Sequence, residues 1–137
     1  MKWLLDTNVI SEPGKRRPNA KAMAWLESVD ETECALSVLT LGEIEKGIYA
    51  LPAGSDRTRH EAGLKALRLR FVGKILDIDE GIAAKWGALL GESERKGRPL
   101  PAVDNLIAAT AAVHGLTLAT RDTKDISPAV SVFNPFA

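Results

Sequence analysis

The sequence predicts an α/β fold, a three-layer α/β/α sandwich with a central parallel sheet of about five strands. Two observations predict it. Five short apolar runs read as buried strands, and stretches with apolar residues at helical spacing separate them. A length of 137 residues suits one domain over 1–137 with a sizeable core.

Trp3-Leu4-Leu5 is the first strand. Residues 19–29 carry Ala22, Leu26 and Val29 at helical spacing. Cys34-Ala35-Leu36-Ser37 is the second strand, and Leu41, Ile44, Ile48 and Leu51 mark the next helix. The segment LPAGSD (51–56) breaks it. A basic helix follows, with Leu64, Leu67 and Phe71 inward and Arg57, Arg59, Lys65, Arg68 and Arg70 largely outward. Residues 75–78 form the third strand. Ile82, Trp86, Leu89 and Leu90 stripe a helix ending near Gly97, and GRPLP (97–101) is a loop. Residues 102–114 form an alanine-rich helix stopped by Gly115. Residues 116–120 and 130–133 supply the last two strands.

Composition narrows the function classes. Apolar residues are 45% and charged residues 26%, ordinary values for a globular protein. Eighteen basic residues cancel eighteen acidic ones, so any nucleic-acid contact must come from local patches. The single cysteine, Cys34, excludes an internal disulfide and suits a reducing cytoplasm. The start lacks signal-peptide character, and no apolar run approaches the roughly 20 residues of a membrane span. His60 and His114 read as surface or capping residues, which argues against histidine acid–base chemistry.

Four acids remain. In a parallel sheet, ligands bind beyond the carboxyl ends of the strands, where strand order reverses. Asp6 ends strand one, and Asp122 lies just past strand four. Each acid also has a local reading. Asp6 suits an Asx turn. Glu43 fits a capping box in which Thr40 is the N-cap. Asp104 suits the first turn of a helix, although Ala108 and Ala111 or Ala112 give its face close access to the sheet. Asp122 and Asp125 suit a turn. Together the four acids fall at one edge of the sheet. Ionised carboxylates about 5 Å apart repel by about 3 kcal/mol per pair at an effective dielectric near 20. Either they hold protons or a cation sits among them, and oxygen-only donors suit Mg²⁺ or Mn²⁺. Such a site favours phosphoryl chemistry.

The segments LLDTNVISE, SVLTLGEIEKGI (37–48), DNLIAATAAVHGLTLATRDTKDI (104–126) and the closing VFNP resemble PIN-domain proteins. The closest group is the VapC-type toxins of bacterial toxin–antitoxin pairs. The likeness runs in order over nearly the whole chain. It implies a Mg²⁺- or Mn²⁺-dependent endoribonuclease with strand order 3-2-1-4-5. Asp6, Glu43, Asp104 and Asp122 match the family's four acids, and Asn8 and Thr120 its supporting polar positions. Many relatives carry asparagine where this chain has Asp122. The resemblance further implies a homodimer and a cognate antitoxin with a DNA-binding domain, whose tail often places an arginine among the acids. Lys15, Arg16, Arg17 and Arg121 are the candidate contacts to the RNA phosphates.

Three rivals compete with a ribonuclease toxin. A DNA nuclease or RNA-processing enzyme would keep the chemistry. A catalytically inactive interaction subunit would have no reason to retain all four acids. A receiver-like phosphoacceptor needs paired acids after strand one, which DTN (6–8) does not supply.

Overall fold

The computed structural model describes residues 1–137. The chain runs β1 (Trp3–Leu5), α1 (Thr7–Ile10), α2 (Ala20–Ser28), β2 (Cys34–Ser37), α3 (Val38–Ala50), α4 (Ser55–Arg70), β3 (Ile75–Leu76), α5 (Glu80–Arg95), α6 (Ala102–Val113), β4 (Thr117–Ala119) and β5 (Val132–Phe133). Single 3₁₀ turns cover Glu12–Gly14, Glu31–Glu33 and Thr123–Asp125. The five strands pair in the order β3-β2-β1-β4-β5, and every pairing is parallel. No helix is long and apolar enough to cross a membrane.

The strands divide the core in two because successive side chains point to opposite faces. Leu4, Ala35 and Leu118 face one cluster, completed by Ile82 and Leu89 of α5 and Ile107, Ala108 and Ala111 of α6. Leu5, Cys34, Leu36 and Ala119 face the other, with Leu41 and Ile48 of α3 and Leu64, Leu67 and Phe71 beyond. Both faces being covered explains why the strands are apolar throughout. Each fully buried leucine contributes about 2 kcal/mol of transfer free energy. The alanines of α6 let its backbone approach the sheet closely, and Gly115, at φ 67°, ends that helix in the left-handed region.

Helix α3 starts earlier than its apolar stripe suggests. The chain leaves β2 at Ser37, whose hydroxyl oxygen accepts from the Leu39 N–H at 3.1 Å and caps the helix there. The capping-box reading of Thr40 and Glu43 is therefore incorrect, and both lie inside the helix. Strands three to five are also shorter than their apolar runs. The ladder itself reaches a little further. Asp6 N–H donates to Ala119 O at 2.9 Å, and Thr120 N–H donates to Phe133 O at 3.0 Å. These last rungs bring Asp6 and Thr120 side by side at the carboxyl edge, beside the point where strand order reverses.

Candidate functional site

Asp6 is the most constrained acid. It is 5% exposed and caps the short helix α1. One carboxylate oxygen accepts from Thr7 N–H at 2.7 Å, the other from the Thr120 hydroxyl at 2.8 Å. The turn reading was thus half the account. Burial is the main influence on its pKa, pushing it up to about 6; the two hydrogen bonds pull it down, and the charges of Asp104 and Glu43 push it up again.

Glu43 projects from α3, half-buried, towards α1. Thr7 Oγ1 donates to its Oε1 at 2.5 Å and lies 3.2 Å from Thr40 Oγ1, itself fully buried. Sequence reasoning missed Thr7. Nothing in DTN signals that the threonine will meet a glutamate 36 positions later.

Asp104 occupies the first turn of α6, half-buried and without a side-chain hydrogen bond. Its pKa is raised by burial first, then by the charges of Glu43, Asp122 and Asp125. Asp122 is exposed just beyond β4. Its Oδ2 accepts from Asn8 Nδ2 at 3.2 Å. The same amide lies 3.4 Å from Thr120 Oγ1, and Asn8 Oδ1 accepts from Arg121 N–H at 3.1 Å. Thr120 Oγ1 in turn accepts from Asp122 N–H at 3.2 Å. Asn8 and Thr120 therefore tie the first strand's end to the fourth's, with contacts that orient Asp6 and Asp122.

Asp125 is half-buried rather than fully solvated, and its carbonyl accepts from Asn105 Nδ2 at 2.9 Å. Asn105, also missed from sequence, is fully buried. It donates to Pro101 O at 2.8 Å and accepts from Ser127 N–H at 2.9 Å, which pins the start of α6 to the 123–127 segment.

The basic candidates are not drawn into the acids. Lys15 pairs at 3.1 Å with Glu12, which is buried, so its charge is already engaged. Arg16 and Arg17 are exposed on the loop after α1. The Arg121 guanidinium lies over the Phe136 ring, 4.6 Å from its centroid. His60 and His114 are exposed.

The donor set is oxygen-only. No three histidine, cysteine, aspartate or glutamate side chains converge closely enough to hold a metal ion among them. The pKa values of Asp6 and Asp104 are raised chiefly by burial, with a smaller push from the neighbouring carboxylates. This pattern fits a hard cation that keeps most of its waters and takes one or two direct carboxylates. It does not fit a closed protein cage.

An apolar groove of about 850 Å³ adjoins the acids, with Thr7 and Glu43 at one end. Ile10, Leu26, Ile44 and Leu64 line it, together with Arg59 and Arg70.

The PIN domain model matches residues 3–127. Toxin FitB of Neisseria gonorrhoeae is 41% identical over 135 residues, which are 97% of this chain and 97% of FitB. VapC ribonuclease Y4jK of Sinorhizobium fredii is 34% identical over 97% of this chain and 96% of its own. The structure of FitAB bound to the IR36 DNA fragment superposes with a TM-score of 0.93 at 39% identity, covering 98% of this chain and 96% of that one.

Proposed function

The chain belongs to the PIN domain family, and from that membership and the geometry of the acids we propose that it is a Mg²⁺- or Mn²⁺-dependent endoribonuclease, the toxin of a toxin–antitoxin pair. One observation carries the chemistry. Four elements, the ends of β1 and β4 and the helices α3 and α6, carry Asp6, Asp122, Glu43 and Asp104 at one sheet edge; burial first, and then the neighbouring acids, raise the pKa of Asp6 and of Asp104.

Each residue has a task. Thr120 and the Thr7 N–H hold both oxygens of Asp6, so its carboxylate is fixed before substrate arrives. The Thr7 hydroxyl orients Glu43, and Asn8 orients Asp122. Asp104 has no hydrogen bond to break and is free to take a cation or one of its waters. A bound divalent ion supplies a water of lowered pKa and neutralises charge on the phosphodiester.

Partner binding follows from the groove. It is apolar, it opens on Thr7 and Glu43, and the name of its FitB relative is that of a toxin. An amphipathic segment of the cognate antitoxin lying there would bring a basic side chain to the acids, where a guanidinium satisfies crowded carboxylates and excludes the metal. The same reading includes a homodimer, for which sedimentation at micromolar concentration is the test.

Cleavage of labelled single-stranded RNA and matched DNA, with Mg²⁺, Mn²⁺ or EDTA, tests the activity. RNA cut only in the presence of metal supports it. DNA cut as fast as RNA, or RNA cut equally in EDTA, contradicts it.

A further inference from the structure

A second cleft, of about 900 Å³, lies between the end of α5, the loop 97–101 and the segment 123–129. It differs in kind from the apolar groove. Only 4 of its 15 lining residues are hydrophobic, and Lys96, Arg98 and Lys124 are among the rest. Its volume falls within the roughly 300–1,000 Å³ of pockets that take small organic groups.

Two of these cations are uncommitted. The ion pairs of the molecule involve neither Arg98 nor Lys124, and both side chains are exposed. Lys96 is shared with Glu92 at 3.4 Å, and Glu92 is further held by Arg95, so the one glutamate on the lining is compensated. The remaining acid there, Asp125, belongs to the group whose charges raise Asp104. The walls are preformed. Pro99, Pro101 and Pro128 line the cleft with fixed backbones, and Asn105 ties its two sides together through Pro101 O, Asp125 O and Ser127 N–H.

The cleft also shares a wall with the acids. Asp122 caps the turn Thr123–Asp125, whose residues line the cleft, and Pro101 caps the helix that carries Asp104 in its first turn. A polyanion crossing four carboxylates is repelled by them, and it needs cations immediately beside the point of attack. We propose that this cleft binds the RNA strand on one side of the phosphodiester to be cut, with Arg98 and Lys124 contacting its backbone phosphates. The inference rests on the nuclease reading of the neighbouring acids. It adds residues that lie 26 positions apart in the sequence.

The test uses the full chain and a labelled single-stranded RNA. Affinity is measured in EDTA across a salt series, and cleavage in Mg²⁺. The variants are Arg98→Ala/Lys124→Ala and the charge-retaining Arg98→Lys. A control, Lys21→Ala/Lys65→Ala, removes two exposed cations from α2 and α4. The double variant is expected to bind about tenfold or more weakly, with a salt slope smaller by about 1.4, since each single-strand phosphate contact contributes about 0.7. KM rises accordingly and kcat stays within about twofold, because neither residue touches the reacting atoms. Arg98→Lys and the control remain near wild type. Wild-type cleavage with unchanged affinity and slope in the double variant overturns the cleft and leaves the nuclease standing. RNA binding that depends on the cleft, without cleavage, overturns the nuclease reading and keeps the cleft. A wild-type chain that neither binds nor cuts RNA overturns both.

Discussion

The two halves of the acid site are built differently. On the β1 side, Asp6 is buried and both of its oxygens are engaged, while Glu43 is fixed by Thr7. On the α6 and β4 side, Asp104 makes no side-chain hydrogen bond and Asp122 is exposed, held only by Asn8. The first half is preorganised at an energetic cost, since burial pushes the Asp6 carboxyl up to about 6. The second half is loosely held and can adapt to a hydrated ion or a phosphate. Two held acids to define the position and two freer ones to accommodate ligand exchange is the division that the proposed nuclease would use.

Breaking the rigid half should have the largest effect. Asp6→Asn is expected to lower metal-dependent cleavage on the order of 10³-fold, the scale of losing one preorganised electrostatic group. The same change should stabilise the metal-free protein at neutral pH. The sign follows from linkage. The folded pKa of about 6 lies above the ordinary aspartate value of 3.8, so the folded state binds the proton more tightly. That advantage is complete below about pH 4 and is lost as pH rises to about 6. At 1.36 kcal/mol per unit, it amounts to about 3 kcal/mol. Denaturant unfolding in EDTA at pH 4 and pH 7 measures it. Wild type should lose stability relative to Asp6→Asn across that interval, and parallel curves would contradict the burial account.

Thr120→Val comes next. It removes one bond to Asp6 and leaves the Asp122 N–H without its partner. A loss of about 1–3 kcal/mol in stability is expected. The acidic limb of the cleavage pH profile should move upwards, because a bond that lowers the Asp6 pKa is gone. A limb at the wild-type position would separate Thr120 from Asp6. Thr7→Val should reduce cleavage by about tenfold, equivalent to roughly 1.4 kcal/mol in the barrier, with the Asp6 cap kept because its donor is the Thr7 backbone. Circular dichroism checks the fold and turnover the effect. Smallest is Asp122→Asn. An exposed, singly bonded side chain should tolerate the change within about 0.5 kcal/mol of stability, and cleavage should fall less than for any of the others. A loss as large as that of Asp6→Asn would mean that the loose half is not loose.

Much of the fold was legible because it is written in periodicity. Leu64, Leu67 and Phe71 face inward as their spacing requires, and the apolar strands are buried on both faces. The strand order came from the family resemblance and not from pattern. Helix α1 was missed because four residues carry no period. The start of α3 was misplaced because Thr40-Leu41-Gly42-Glu43 imitates a capping box, while the chain's exit from β2 puts the cap at Ser37. The acids themselves were legible, since strand ends and motif spacing both mark them. Thr7 and Asn105 were not, because their partners lie far along the chain and polar contacts across that distance leave no local trace. Lys15, Arg16 and Arg17 stand close to Asp6 in sequence, yet Lys15 spends its charge on Glu12.

The central claim is that these four carboxylates form one coupled site that takes a divalent cation, with Asp6 at its centre. Thermal unfolding of wild type and Asp6→Asn, each in EDTA and in millimolar Mg²⁺ or Mn²⁺, tests it most directly. Metal that binds only the folded state raises its stability by RT ln(1 + [L]/Kd), about 2.7 kcal/mol at a hundredfold excess over Kd. The account predicts a clear rise in the wild-type midpoint and little or none in Asp6→Asn, whose midpoint in EDTA is already the higher of the two. Equal metal-induced shifts in both proteins, or no shift in either, would contradict it.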